Sequence, residues 1–310
     1  MKTPCRCVIL LEKEKEVYSM KYGIYFAYWE KEWFADYKKY IDKMAKLGFD
    51  ILEISCGALK STYTTDQQLS ELRKYAEDKN IILTAGYGPA PTENLGSADP
   101  EIQKNAIAFF TKTIQDLEKL GIKTFGGGLY SYWPVDYTKP IDKAGDLERS
   151  IKNMKEIAKV AEACDVTLGM EVLNRFEGYL LNTCDEAIAY VDAVGSSHVK
   201  VMLDTFHMNI EEDNIGAAIR KAGDKLGHFH IGERNRQVPG KGTMPWDEIG
   251  QALRDIHYDG TVVMEPFVTP GGTVGSDIKI WRDLVPDTSE EKLDEDAKNS
   301  LQFVKHVFER

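Results

Sequence analysis

The sequence predicts an α/β protein folded as a single-domain (β/α)₈ TIM barrel, and three observations lead to this fold class. Eight short apolar or β-branched runs alternate with amphipathic stretches along the 310 residues. This length suits one such barrel with modest insertions. Acidic residues or a histidine end the last four runs, and the carboxyl ends of barrel strands are where functional side chains gather.

The eight runs have the continuous apolar character of parallel strands that helices cover. The predicted strands are 22–27, 50–54, 81–85, 122–127, 166–172, 199–204, 227–231 and 261–265. Amphipathic patterns between them predict helices, most clearly at 33–47, 99–120, 146–164 and 246–256. Caps or acidic first turns mark predicted helix starts at Thr65 with Asp66, Ser97 with Asp99, and Thr183 with Asp185. Turn glycines mark helix ends before strands, at Gly48, Gly121 and Gly260.

Three long irregular segments, 130–143, 235–245 and 269–286, follow predicted strands and therefore belong to the catalytic face of a barrel. A doubly wound sheet is the alternative architecture. Its first strand is usually followed by a glycine-rich phosphate loop, whereas this chain has YFAYWEKEW there. We predict one catalytic domain over residues 20–310 and a poorly ordered extension over residues 1–19.

Composition excludes several classes of partner. The net charge of −11 leaves no excess of Lys and Arg to neutralise phosphates, so we expect no nucleic-acid partner. No apolar stretch reaches the roughly 18 residues of a membrane helix, so we expect no membrane association. Five scattered cysteines do not form a disulfide framework and fit a reducing, cytoplasmic location.

Four residues indicate a metal site at the mouth of the barrel. They end the runs VTLGMEV, VKVMLD, GHFHIG and TVVMEP and are Glu171, Asp204, His230 and Glu265. The intervals of 33, 26 and 35 residues each match one strand-plus-helix unit. Three carboxylates with one imidazole suit Mg²⁺ or Mn²⁺ and leave Co²⁺ open. The alternative, pairing with Lys or Arg across the barrel top, explains any single one of them better than all four.

The same residues indicate proton-transfer chemistry on a polyhydroxylated ligand. A divalent ion can polarise a carbonyl and stabilise an enediolate. If Glu171 and Glu265 stand on opposite faces of the substrate, one removes a proton and the other returns one, which inverts a stereocentre. Further polar and aromatic groups near the strand ends suit a sugar: Asn174, Arg175, Glu177, His207, Glu233, Arg236, Tyr25, Trp33 and Trp133. The other histidines, His198, His228, His257 and His306, are interpreted as structural or surface residues.

From about Met20 to the C-terminus, the sequence resembles the ketose 3-epimerases. The motifs that carry the resemblance are GIYFAYW, GGGLYSYWPVDYT, MEVLNRFEGYLLNT, VMLDTFHMNIEE, GHFHIGERNRQVPGKG and MEPFV. It implies a (β/α)₈ barrel that binds one divalent ion per subunit, Mn²⁺ or Co²⁺ with Mg²⁺ also compatible. It further implies C3 epimerisation of free ketohexoses through a cis-enediolate, D-fructose to D-psicose and also D-tagatose to D-sorbose.

The resemblance also assigns roles to individual residues. It implies metal binding by Glu171, Asp204, His230 and Glu265, with the two glutamates as the acid–base pair. By the same resemblance, substrate oxygens are contacted by Glu177, His207 and Arg236, and the walls are formed by Tyr25, Trp33 and Trp133. Members of the family differ at Cys56–Thr62 and Tyr87. They assemble as dimers or tetramers, which predicts a homodimer or homotetramer here.

The sequence is also compatible with other functions to different degrees. An aldose–ketose isomerase or a hydroxypyruvate isomerase begins with the same enediol chemistry and differs in the carbon that receives the proton. A barrel of the AP-endonuclease type needs more histidines and a basic face for DNA than this chain has. A non-catalytic sugar-binding protein on the same scaffold does not need two carboxylates placed for proton transfer.

Overall fold

The structure, a computed structural model, describes residues 20–310. Eight parallel strands close into a barrel in sequence order. They are β1 Lys21–Tyr25, β2 Ile51–Ser55, β3 Ile82–Gly86, β4 Thr124–Gly127, β5 Thr167–Glu171, β6 Val199–Asp204, β7 Leu226–Ile231 and β8 Thr261–Met264. The last strand pairs with the first, with Lys21 opposite Thr261, so the sheet has no free edge. The barrel prediction is confirmed, and every strand lies within two residues of its predicted bounds.

Ten α-helices occur in residues 20–310. They are α1 Tyr37–Leu47, α2 Asp66–Asp78, α3 Pro100–Lys119, α4 Lys143–Cys164, α5 Cys184–Val194, α6 Thr205–Glu211, α7 Ile215–Ala222, α8 Trp246–Asp255, α9 Gly272–Ile278 and α10 Glu290–Phe308. The predicted caps Thr65 and Thr183 each accept a hydrogen bond from the first turn of their helix. At the start of α3, where the sequence indicated Ser97 with Asp99, the cap is Asp99, which accepts from the Glu101 backbone N–H. Gly48 ends α1 with φ +86°, a left-handed conformation that glycine adopts without a Cβ clash.

Two predictions about helices were wrong, and both corrections concern segments near the mouth of the barrel. Helix α1 begins at Tyr37 rather than at residue 33, because Asp36 caps it by accepting from the Lys38 backbone N–H. Trp33 therefore lies in the loop after β1. The segment 269–286, predicted as irregular, contains the helix α9. The predicted extension, residues 1–19, lies outside the described residues.

Register relates the strand-end residues of β5, β6 and β7. Asp204 on β6 lies directly opposite His230 on β7, and Glu171 on β5 pairs with Met202 on β6. Close packing inside the barrel depends on Gly126, since a Cβ there would lie 2.4 Å from the Met202 sulfur. Of the helices in residues 20–310, none combines the length and the apolar character of a membrane span.

Candidate metal centre and active-site pocket

A cavity of about 390 Å³ opens at the carboxyl ends of the strands. Nine of the ten predicted site residues line it: Tyr25, Trp33, Trp133, Glu171, Glu177, His207, His230, Arg236 and Glu265. The tenth, Asp204, is buried, and its Oδ2 lies 3.8 Å from His207 Nε2 and 3.2 Å from Arg236 Nη1. The structure therefore brings all ten side chains together at the catalytic face of the barrel.

Four strand-end side chains form a compact donor set. Glu171 and Asp204 are the last residues of β5 and β6, His230 is the penultimate residue of β7, and Glu265 follows β8. One ligand atom from each lies within 4.8 Å of those from the others. His230 Nδ1 is buried without a hydrogen-bond partner, 3.8 Å from Glu171 Oε1 and 3.6 Å from Glu265 Oε1. A buried ring nitrogen that lies among carboxylates without a hydrogen-bond partner fits a divalent ion.

Arg236 supplies positive charge to this donor set. Its Nη1 donates to Glu265 Oε2 at 2.7 Å and to Asp204 Oδ2 at 3.2 Å. The guanidinium lies 3.8 Å from the ring centroid of Phe206, a cation–π contact that limits its movement. The backbone of Arg236 has φ +65°, a conformation that costs free energy in a non-glycine residue and is found at functional sites.

The two candidate proton carriers differ in acidity. Burial, followed by the nearby charge of Glu265, raises the pKa of Glu171 well above its ordinary value. Burial also raises the pKa of Glu265, but the charges of His230 and Arg236 outweigh it and leave that pKa below the ordinary value. Neighbouring carboxyls whose pKa values are driven apart are typical of acid–base pairs.

His207 presents a hydrogen-bond donor to the cavity. Its Nδ1 accepts from the backbone N–H of Asn174 at 3.2 Å, so the ring proton of the neutral imidazole is on Nε2. That Nε2 faces Glu171 and Asp204, at 3.9 and 3.8 Å. Burial is the main reason that the pKa of His207 lies below its ordinary value. Asn174 also donates to Glu177 at 3.1 Å and thereby orients two predicted substrate contacts.

Aromatic rings form part of the cavity wall. Trp33 packs edge-to-face against Trp133, with centroids 6.0 Å apart, and lies 6.3 Å from the ring of Tyr25. Sequence reasoning missed two residues that support this wall. Phe267 packs 6.0 Å from Trp33, and Asp277 on α9 lines the cavity and accepts from Trp33 Nε1 at 2.8 Å. Asp277 lies in the segment that was predicted as irregular, so no periodicity could place it.

Two polar residues noted near the strand ends serve other purposes. Arg175 points away from the cavity and is held by Glu211, with Nη2 to Oε2 at 2.8 Å. The carboxylate of Glu233 accepts from the backbone N–H groups of Gly240 and Met244 and from Trp246 Nε1, which fastens the loop after β7. Neither residue lines the cavity.

Beneath His230 lies a buried polar layer that the sequence interpretation did not include. Glu53, the central residue of β2, and His228 on β7 are both fully buried. Glu53 Oε1 lies 2.6 Å from His230 Nε2, and its Oε2 lies 2.8 Å from His228 Nε2. The signal available in the sequence was a lone carboxylate in the apolar run ILEIS, since a buried charge requires partners.

The region where family members were expected to differ borders the cavity. Residues 56–60 form a 3₁₀ turn after β2, and Gly57 lines the cavity together with Tyr87. Lys60 Nζ lies 2.6 Å from the hydroxyl of Tyr87 and pairs with Glu93. Tyr87 is thus held at the rim by an ion pair on its outer side.

Comparisons with known proteins agree with this architecture. Residues 41–291 match the family described as xylose isomerase-like TIM barrel. D-psicose 3-epimerase of Enterocloster bolteae is 65% identical over 295 residues, which cover 95% of this chain and 98% of that protein. D-psicose 3-epimerase of Agrobacterium fabrum is 55% identical over 288 residues, which cover 93% of this chain and 99% of that protein. The crystal structure of D-psicose 3-epimerase with D-tagatose from Clostridium cellulolyticum H10 superposes with a TM-score of 0.92 at 58% identity, covering 94% and 100% of the two chains.

Proposed function

The chain belongs to the ketose 3-epimerases of the xylose isomerase-like TIM barrel family, and from this membership we propose that it epimerises free ketohexoses at C3. D-fructose and D-psicose are the first proposed pair, and D-tagatose and D-sorbose the second. One observation carries the proposal: Glu171 at the end of β5 and Glu265 after β8 line the same cavity, and their Oε1 atoms lie 3.8 and 3.6 Å from His230 Nδ1. Two carboxyls so placed can exchange protons with one carbon.

The donor set supports metal dependence. Glu171, Asp204, His230 and Glu265 would hold one divalent ion, with Mn²⁺ or Co²⁺ preferred and Mg²⁺ also compatible with three oxygens and one nitrogen. When bound, such an ion polarises the ketose carbonyl and stabilises the negative charge of the enediolate. Sequence reasoning arrived at the same four residues, and the distances of the structure support them.

The chain's own residues provide binding, orientation and proton transfer. His207 Nε2–H donates to a substrate oxygen, and Arg236 and Glu177 bind neighbouring oxygens from the same side of the cavity. Trp33 and Trp133 cover the C–H faces of the sugar and exclude water from the reacting carbon. One glutamate removes the C3 proton from one face, and the other returns a proton to the opposite face. In the reverse reaction the two exchange roles.

Hydrogen exchange in D₂O tests this function. The Mn²⁺-loaded protein is incubated with D-fructose, and the sugars are analysed by NMR. We expect D-psicose with deuterium at C3. Deuterium at C1 with an aldose product would instead establish an aldose–ketose isomerase, and saturable sugar binding without either product would establish a binding protein.

Single substitutions of the glutamates test the division of labour. We expect Glu171→Gln and Glu265→Gln each to lower kcat for epimerisation by roughly 10²- to 10⁴-fold, because an amide cannot carry the proton. Each variant should still exchange the C3 proton of one epimer with solvent, and the two variants should favour opposite epimers. Full epimerase activity in either variant would refute the two-carboxylate mechanism.

The assembly is tested separately. We propose a homodimer or homotetramer, as the family resemblance implies, and light scattering on the purified protein distinguishes these states from a monomer.

A further inference from the structure

Glu53 is a buried carboxylate whose hydrogen bonds are all made inside the barrel. Its Oε2 accepts from the hydroxyl of Thr84 at 2.7 Å and lies 2.8 Å from His228 Nε2, while its Oε1 lies 2.6 Å from His230 Nε2. An ionised carboxylate can only accept, so both histidines present N–H groups to it. Among residues 20–310, its ion-pair partners are these two histidines.

These bonds determine which nitrogen of His230 faces the cavity. Because Nε2 is engaged by Glu53, Nδ1 is the nitrogen left for another partner. It is the atom that lies 3.8 Å from Glu171 and 3.6 Å from Glu265, and it has no hydrogen-bond partner of its own. The ring is thus held with one edge on a carboxylate and the other edge in the donor set.

His228 completes the support from the other side. Its Nδ1 lies 2.5 Å from the hydroxyl of Thr261 on β8, and its ring packs against that of His230, with centroids 4.9 Å apart. The Thr84 hydroxyl and the His228 imidazole therefore hold Glu53 in one orientation, and the Thr261 hydroxyl holds the His228 ring. Since the anchoring residues stand on β2, β3, β7 and β8, the barrel itself fixes the direction of the His230 ring.

A second metal site formed by Glu53, His228 and His230 is the alternative that their residue types suggest. The distances argue against it. Two ligand atoms of one ion, each about 2.1 Å from it, lie about 3 Å or more apart. The oxygens of Glu53 lie 2.6 and 2.8 Å from the two ring nitrogens, which are hydrogen-bond distances.

We propose that Glu53 is a positioning residue for the metal centre: it accepts the Nε2–H of His230 and thereby holds the Nδ1 lone pair toward Glu171, Asp204 and Glu265. This inference rests on the proposed metal-dependent function. Carboxylates that accept from the second nitrogen of a metal-binding histidine fix its tautomer and its direction, and their loss weakens metal affinity by about 10- to 100-fold.

The test is the affinity of Glu53→Gln for Mn²⁺, measured by calorimetry on protein freed of metal. The amide keeps the size of the side chain and one acceptor but removes the charge, so we expect the Kd to rise by about 10- to 100-fold. Asp116→Asn is the matched control. It also converts a buried carboxylate to an amide, but it lies on α3, where its partners are Lys112 and Lys119, and its Kd should equal that of the wild type.

Activity and spectra separate positioning from a general loss of structure. In Glu53→Gln, the Mn²⁺ concentration for half-maximal turnover should rise about as much as the Kd, while KM for the sugar stays within about twofold. The visible spectrum of the Co²⁺-loaded variant should differ from that of the wild type. Equal Mn²⁺ affinity and equal Co²⁺ spectra in a folded Glu53→Gln protein would overturn the inference.

A milder variant keeps the inference testable if Glu53→Gln does not fold. Thr84→Val removes one hydrogen bond to Glu53 and leaves the charge of Glu53 in place. The Mn²⁺ Kd of Thr84→Val should therefore lie above that of the wild type and below the range expected for Glu53→Gln. If Thr84→Val binds Mn²⁺ with the wild-type Kd, the inference is overturned. Failure of the wild type itself to bind Mn²⁺ would refute the metal-dependent function, whereas unaltered binding in the variants refutes only the role of Glu53.

Discussion

The contact between Asp277 and Trp33 yields a prediction about substrate binding. Trp33 Nε1 donates to Asp277 Oδ2 at 2.8 Å, across 244 positions of the sequence. Two further bonds join the same segments, from Thr273 Oγ1 to Glu32 at 2.7 Å and from the Val274 backbone N–H to the carbonyl of Lys31 at 3.0 Å. Helix α9 is therefore fastened to the loop after β1, and Asp277 fixes the indole that covers the cavity.

We expect Asp277→Ala to raise KM for D-psicose with little change in kcat. A net hydrogen bond to a half-exposed carboxylate contributes about 1 kcal/mol, which corresponds to about a fivefold increase in KM. The two other bonds remain, so the melting temperature should fall by no more than about 2 °C. Initial rates over a range of D-psicose concentrations, with tryptophan fluorescence as a probe of the indole, measure both effects.

Asp283→Asn is the control, because Asp283 is an exposed carboxylate of the same 269–286 segment. Its KM should equal that of the wild type. If Asp277→Ala retains the wild-type KM, or if the control shifts KM equally, Trp33 is not held by Asp277 in the way that the contact suggests.

Three further predictions concern a glycine, an ion pair and the metal. Gly272 has φ +63°, and a Cβ there would lie 2.0 Å from the carbonyl oxygen of Lys31. Gly272→Ala should therefore detach α9 from the loop after β1, raise KM more than Asp277→Ala does and lower the melting temperature. Hydrogen bonds from Arg175 lower the pKa of Glu211. The stability that this pair contributes is therefore present above about pH 4.3 and is lost as the pH falls through the lower pKa of the folded state. In urea unfolding, the free energy of unfolding of Glu211→Gln should equal that of the wild type at the most acidic pH and lie below it at neutral pH. Chelation should abolish turnover, and Mn²⁺ at 100 times its Kd should raise the free energy of unfolding by about 2.7 kcal/mol, or the melting temperature by about 4 °C, in a thermal-shift assay.

The strands and the four residues of the candidate metal site could be predicted because their signals are local. A parallel strand is a short apolar run, and the residue that ends it is exposed to the mouth of the barrel whatever the rest of the chain does. Glu171, Asp204, His230 and Glu265 each lie at or next to the end of such a run. Spacing alone was therefore sufficient to propose that they meet.

The supporting residues could not be predicted in this way, because their roles depend on partners far along the chain. Glu53 and His230 are 177 positions apart, and Trp33 and Asp277 are 244 apart. Nothing in the neighbourhood of His228 distinguishes it from a histidine packed in a core. The start of α1 was predicted too early for a different reason. The amphipathic pattern extends toward the N-terminus as far as residue 33, but the side chain of Asp36 caps the first turn, so the helix begins at Tyr37.

Charge balance connects these two sets of residues. Glu171, Asp204 and Glu265 are brought together out of bulk water, which is unfavourable for carboxylates unless positive charge is near. Arg236 donates to Asp204 and Glu265 from one side, and its contact with Phe206 keeps it there. On the side that His230 Nδ1 faces, this nitrogen has no hydrogen-bond partner among residues 20–310. A divalent ion bound on that side would balance the remaining charge, so the feature that makes the mouth of the barrel costly to fold is also the feature that equips it for the proposed chemistry.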